Sequence, residues 1–284
     1  MNDKFERSTT GYLPEAHIAF LDETFKGSSA ILNTLLTLLN ERIFYNGTEA
    51  RKCPLLMVVG ASNEFGDDDV EALYDRFLLR YELEYVQDQN AVLLFRFETP
   101  QVTAKFSLAQ LQQARSLVQQ TTVSDDVLKV LVSIRTQLRL RGVFPSDRRL
   151  RQCLDLLKAK SWLDGVPIGE HHLLILENAL WHKNQDREKV SEILVGSLSQ
   201  DLLKARKILA SARKGHQELL EGLRESSRAE KVRQLQKDFL KLTEPMTAEL
   251  TALMERVPAD YVTAIKDVQD KLLAIQRKVV DAQR

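Results

Sequence analysis

Two stretches decide the fold: Ile18-Ala19-Phe20-Leu21-Asp22-Glu23, and the run Leu55-Leu56-Met57-Val58-Val59-Gly60-Ala61-Ser62. Each holds a continuous apolar run bounded by polar residues, the pattern of a strand buried on both faces of a parallel sheet. Between them Ala30, Ile31, Leu35, Leu38, Leu39 and Arg42 recur at helical spacing, with Ser28 or Ser29 as the N-cap. The segment IFYNGTEARKCP (43–54) then reads as a hairpin turning at Asn46-Gly47, because a type I′ turn needs positive φ at both central residues. Strand, helix, hairpin, strand is the order of an α/β core with a parallel sheet, assigned to residues 1–98.

The character changes downstream. Residues 106–120, 124–140, 146–163 and 169–181 each show helical periodicity, and Ser124 with Asp125 and Asp126 behind it is a favourable helix start. Residues 104–183 are therefore expected to form a small all-helical domain. In 186–284, Leu202, Ala205, Leu209, Ala212, His216, Leu219 and Leu223 alternate steps of three and four, an a/d seam. The seam resumes at Val232, Leu235, Phe239 and Leu242, and again at Ile265, Val268, Leu272, Ile275 and Val279. Pro245 and Pro258 are expected breaks, since proline removes a backbone donor and clashes with the preceding turn. The expectation is a coiled-coil-like tail, one long helix folding back on one or two shorter ones.

Composition excludes several classes. Forty Lys+Arg balance forty Asp+Glu, so general attraction to nucleic acid or an anionic membrane is not supported. The basic clusters in 204–214 are flanked by acids at Asp201 and Glu218 and lack stacking aromatics, which favours a solvated helix face. Two cysteines are too few for a disulfide framework or a zinc site, and His171, His172, His182 and His216 lack partners at ligand spacing. Neither a signal-peptide h-region nor an apolar run of about 18 residues occurs, so a cytoplasmic protein without a membrane span is expected.

The chemistry concentrates at strand ends. Asp22 and Glu23 follow four apolar residues, at the carboxyl end of a buried strand, where α/β sheets bind ligands. In nucleotide hydrolysis the first carboxylate of such a pair holds Mg²⁺ and the second orients or deprotonates the attacking water. Equally, strands end in acids simply to cap a following helix. Asn63 ends the second strand, where it could bond the attacking water or the γ-phosphate, or merely form a turn. Arg76 and Arg80 lie one turn apart, and a guanidinium fork suits phosphate oxygens. The alternative for Arg76 is a surface pair with Asp75 or Glu71.

Taken in order, GYLPEAHIAFLDETFKGSSAILNTLLTLLNERIFYNG (11–47), VVGASNE (58–64) and EALYDRFLLR (71–80) resemble the MoxR family of AAA+ ATPases, most closely its RavA-type branch. The resemblance covers residues 5–96 and implies that Asp22 and Glu23 are the Walker B pair, with Asp22 on Mg²⁺ and Glu23 catalytic. It implies that Asn63 is sensor 1, that Arg76 is the arginine finger with Arg80 a second candidate, and that the 43–52 hairpin precedes sensor 1. Ser146-Asp147-Arg148 stands where the family carries its sensor 2 arginine, so Arg148 would contact ATP, with Arg149 the alternative. The family implies ATP and Mg²⁺ as cofactors, a hexameric ring, partner remodelling of a chaperone-like kind, and often a von Willebrand factor A-domain partner.

The departures matter as much. No G-x-x-x-x-G-K-[ST] motif occurs, so the chain is expected to be the C-terminal part of a longer ATPase and not to turn over ATP alone. Thr24 stands where an aliphatic residue is usual after Walker B, with no catalytic consequence expected. Residues 186–284 do not resemble the β-rich module that follows the lid in RavA-type members. A different class is therefore kept open, a non-catalytic interaction protein that retains lid, finger and coiled coil. A helicase-like DNA remodeller is suggested by the hairpin alone, and the neutral charge opposes it.

Overall fold

In the computed structural model, residues 8–47, 49–63, 71–83, 85–86, 88–96, 101–225 and 229–281 are described. The chain forms two compact units, Met1–Phe97 and Glu98–Arg284.

In the first unit, strand β1 (Ile18–Leu21) leads through a single 3₁₀ turn (Thr24–Lys26) into helix α1 (Ser29–Glu41). Ser28 is its N-cap position, yet its hydroxyl makes no capping bond. Strands β2 (Ile43–Asn46) and β3 (Glu49–Lys52) form an antiparallel hairpin, followed by β4 (Met57–Gly60), α2 (Glu71–Tyr74) and α3 (Asp88–Phe95). β1 and β4 pair in parallel, Ile18 opposite Met57 through Leu21 opposite Gly60. Ala19, Leu38, Cys53 and Leu55 close a core over one face of this sheet, with Leu13, Phe44 and Val58 against it.

Two expectations for this unit are corrected. The strands are buried on one face only: Ile18 and Phe20 are both 67% exposed, and Met57 and Val59 also face solvent. Alternation decides this, because side chains of one strand point to opposite faces and only the Ala19–Val58 side is packed among the described residues. The hairpin turn also sits one residue later than expected. Asn46 pairs with Glu49 inside the ladder and is 4% exposed, while Gly47 takes the positive φ of 62°. Burying the Asn46 side chain keeps it in the strand and leaves glycine to supply the left-handed position. Thr48, the other loop residue, lies outside the described residues.

The second unit begins with α4 (Leu108–Gln120), α5 (Asp125–Leu140) and α6 (Asp147–Asp164), started by Ser107, Ser124 and Ser146, whose hydroxyls each accept from the backbone N–H three residues on. The 169–181 segment differs from expectation: it is a 3₁₀ helix over Glu170–Asn178. Leu173 and Leu176 are both fully buried and eclipse at a three-residue step, which suits the 3₁₀ repeat. After α7 (Arg187–Leu198) come α8 (Gln200–Glu225), α9 (Ala229–Met254) and α10 (Ala259–Asp281), which pack against one another. Their lengths, 26, 26 and 23 residues, replace the expected long helix and shorter returns.

Pro245 does not break α9. It is exposed, so the carbonyl it deprives can turn to water, while Phe239 before it and Leu250 after it are buried and hold the helix to its neighbours. The seam on α9 also runs differently: Gln236, Phe239, Thr243, Leu250 and Leu253 are buried, whereas Leu242 is half exposed. Leu235 and Leu242 instead lie against Gly222 and Gly215 of α8, and a Cβ on those glycines would stand 3.1 and 3.4 Å from them. Thr243 satisfies its hydroxyl on the Phe239 carbonyl at 3.0 Å, so the inward polar position costs little. The core of this bundle runs on into α7 through Val195, and Arg206 of α8 binds Glu177 and the Ser191 hydroxyl. Tail and lid segments thus share one compact unit.

His172 is buried where the end of α6 meets the 3₁₀ helix, its ring 3.9 Å from that of His171, 3.4 Å from Asp164 and with Gly169 N donating to Nδ1 at 3.0 Å. Burial first, then the His171 charge and Lys160, push its pKa below the ordinary histidine value, against the raising pull of the Gly169 carbonyl and Asp164. Burial likewise lowers His216, which packs on Phe239 and feels Lys278. A depressed folded pKa means that the unfolded chain takes up protons first, so stability is intact above about pH 6.5 and falls as pH drops below it. Denaturant melts between pH 7.5 and 5 should show this loss, and His172→Gln should make it shallower.

Candidate functional site

Asp22 and Glu23 follow the last residue of β1. Asp22 is exposed and one of its carboxylate oxygens accepts from the Glu23 amide at 3.0 Å. Glu23 adopts φ 50°, ψ 42°, the left-handed region rare for a side-chain-bearing residue. Its carboxylate lies 3.2 Å from Lys26 one turn on. This left-handed residue ends the extended backbone immediately after the strand, with both acids at its carboxyl end.

The two strand ends are tied together. Ala61 donates to the Leu21 carbonyl at 2.8 Å and Thr24 donates to the Ala61 carbonyl at 3.0 Å. The Thr24 hydroxyl donates to Leu21 O at 2.9 Å with Ala61 O at 3.3 Å. Asn63, two residues past Ala61, is exposed at this same end of the sheet. Gly60 permits the approach: a Cβ there would stand 2.8 Å from the Thr24 hydroxyl and 3.0 Å from the Phe77 ring.

That ring belongs to the arginine segment. Phe25 lies 5.5 Å from Tyr74 and 6.2 Å from Phe77, fastening the 3₁₀ turn after the acids to residues 74–77. Arg76 is 21% exposed and its guanidinium is 3.7 Å from Asp75. Arg80 is turned inward: it is 6% exposed, donates to the Tyr74 carbonyl at 3.0 Å and stacks over the Tyr74 ring at 4.0 Å. Of the two, Arg76 has the more accessible head.

The second unit separates the other arginine pair equally well. Arg148 is exposed in the first turn of α6. Arg149 is 1% exposed, and its guanidinium donates to the Ala179 carbonyl at 2.7 Å. It also stands near buried Cys153, whose thiol burial pushes up to about 12. Arg149 therefore holds α6 to the chain following the 3₁₀ helix.

Among the described residues no group of three or more His, Cys, Asp or Glu could cage a metal. An exposed Asp22 with one oxygen engaged suits Mg²⁺, which keeps most of its waters and takes one or two carboxylates beside substrate phosphates. Sequence reasoning noted Thr24 without giving it a role, and it missed Gly60 and the Phe25–Phe77 contact. The one visible signal is a polar residue at a position expected to be aliphatic.

A nucleotide-type α/β core followed by a helical lid defines the AAA+ class, whose members use nucleotide and Mg²⁺ in general. Residues 2–120 match the family described as the MoxR domain in the MoxR–vWA–beta-propeller ternary systems, and residues 126–194 match an AAA lid domain. The chain belongs to the MoxR family of AAA+ proteins. Two uncharacterized proteins of Methanocaldococcus jannaschii are each 36% identical to it, over 199 and 197 residues, covering 68% and 67% of this chain and 52% of each relative. A structural protein of Acidianus two-tailed virus is 26% identical over 128 residues, 41% of this chain and 21% of that protein. The chain spans about half the length of the first two relatives. No helix among the described residues is long and apolar enough to cross a membrane.

The arginine pair at α6 yields a direct test. Arg149→Ala should destabilise by about 1–3 kcal/mol for the unpaired Ala179 carbonyl alone, before any cavity term. Arg148→Ala should stay within about 0.5 kcal/mol, as expected of an exposed residue. Urea melts of the two variants make the comparison.

Proposed function

We infer that this chain is the acid-pair-to-lid part of an ATP-hydrolysing MoxR-type machine that remodels or activates partner proteins. One observation carries the reading: parallel pairing of β1 with β4 sets Asp22, Glu23 and Asn63 at one sheet end, within a chain of the MoxR family. Glu23 would accept the proton of the attacking water, and Asn63 would orient that water by hydrogen bonding. Asp22 would hold Mg²⁺, which supplies charge neutralisation on the phosphates. Arg76 would reach ATP bound by a neighbouring subunit of a ring, a hexamer in this reading, and Arg148 would contact nucleotide through its own subunit. The 284 residues contain no G-x-x-x-x-G-K-[ST] motif, so the phosphate cradle would come from polypeptide outside them. A vWA-domain protein is the partner suggested by the family's description. The resemblance to the RavA-type branch rests on the quoted stretches alone.

A second reading, a non-catalytic interaction protein, is favoured by Arg76 lying beside Asp75. The two separate in a protein joined to a phosphate-binding loop. Glu23→Gln should abolish turnover, and Arg76→Ala should cut it by roughly 10³-fold or more with nucleotide binding kept. Mixing the two variants should recover activity, because an intact base and an intact finger then meet at mixed interfaces. A structural Arg76 would instead lower the melting temperature, and mixing would restore nothing at any ratio.

A further inference from the structure

We propose that Thr24 is a positioning residue for the acid pair, its hydroxyl holding the Asp22-Glu23 turn and the Asn63 strand end as one rigid unit. The proposal rests on the ATPase reading above. Thr24 is 6% exposed and sits directly after Glu23, the residue in the left-handed conformation. A single non-glycine residue in that region is strained and persists only where its surroundings hold it. Thr24 is what holds it. Its amide bonds the Ala61 carbonyl at 3.0 Å, and its hydroxyl donates to Leu21 O at 2.9 Å while lying 3.3 Å from Ala61 O.

The hydroxyl is not needed to satisfy either carbonyl. Leu21 O already accepts from Ala61 N, and Ala61 O already accepts from Thr24 N. A buried valine would fill the same space without orphaning a polar group. What the hydroxyl adds is one shared proton, donated mainly to Leu21 O at 2.9 Å and more weakly across the strand ends to Ala61 O at 3.3 Å, so that the residue next to the base is tied to the residue two before the amide. Gly60 leaves room for it, since a Cβ there would meet the hydroxyl at 2.8 Å. Loosening this joint lets Glu23 and Asn63 shift independently, and small misplacements of catalytic groups cost up to about 10²-fold in rate.

The test compares Thr24→Val with Thr24→Ser, which keeps the hydroxyl and loses the methyl. In the 284-residue chain, amide exchange at Thr24 and Ala61 should quicken about fivefold in Thr24→Val, the worth of one ordinary hydrogen bond, and stay near wild type in Thr24→Ser. In the protein joined to a phosphate-binding loop, Thr24→Val should lower kcat about 10- to 10²-fold with KM for ATP unchanged. Thr24→Ser should restore most of it, and Gly60→Ala should reproduce the Thr24→Val defect. Equal loss in the serine and valine variants would assign the effect to methyl packing and overturn the proposal, as would unchanged kcat in Thr24→Val. If Glu23→Gln leaves turnover intact, the acid-pair reading falls and Thr24's part in turnover falls with it. The exchange data then still report whether the strap exists, so the two failures are distinguishable.

Discussion

Everything in the first unit hangs on the parallel pairing of β1 and β4 at Leu21 opposite Gly60. A parallel pair needs a crossover between its strands, and α1 with the β2–β3 hairpin provides it. The crossover packs onto one sheet face and buries Ala19, Leu38, Cys53 and Leu55. Because both strands run the same way, their carboxyl ends coincide, and the groups that follow them are gathered at one place. A one-residue slip in the pairing would separate Ala61 from Leu21 and remove the strap between them.

The same junction reaches the arginine segment. Gly60 is crowded by Thr24 on one side and by Phe77 on the other, and Phe25 touches both Tyr74 and Phe77. The residues after the acid pair and those around Arg76 therefore belong to one packed cluster, which includes Leu32 and Leu73. Interiors this close-packed transmit displacement, since a ring cannot move without its neighbours giving way. An acid turn and an arginine proposed to serve different subunits thus share a mechanical support.

Polar groups play a specifying role in the second unit. Arg149 and His172 are almost wholly buried, Gln236 and Thr243 sit on the inner face of α9, and glycines on α8 admit Leu235 and Leu242 at the edge. A strict heptad reading expects leucines inward there. Here the inward face of α9 is turned to the other side of Phe239, so Gln236 and Thr243 are buried while Leu235 and Leu242 lie at the edge against the α8 glycines. Replacing an inward leucine by a hydroxyl that bonds its own helix keeps the packing and restricts the register.

The amino-acid order by itself determined the class of core, the helical lid, the helix starts at Ser124 and Ser146, and the placement of Asp22, Glu23 and Asn63 after strands. These follow from local rules: apolar runs, capping chemistry and periodicity act over a few residues. It also carried the family, because the quoted motifs are dense between residues 11 and 80. Tertiary structure decided what depends on distant neighbours. Which face of β1 is covered, which of Arg148 and Arg149 is buried, whether Arg80 turns inward, and whether Pro245 ends a helix are settled by residues far away in sequence. Thr24 shows the difference most plainly. In sequence it is one polar residue after two acids, and only the carbonyl of Ala61, 37 positions away, makes it a strap.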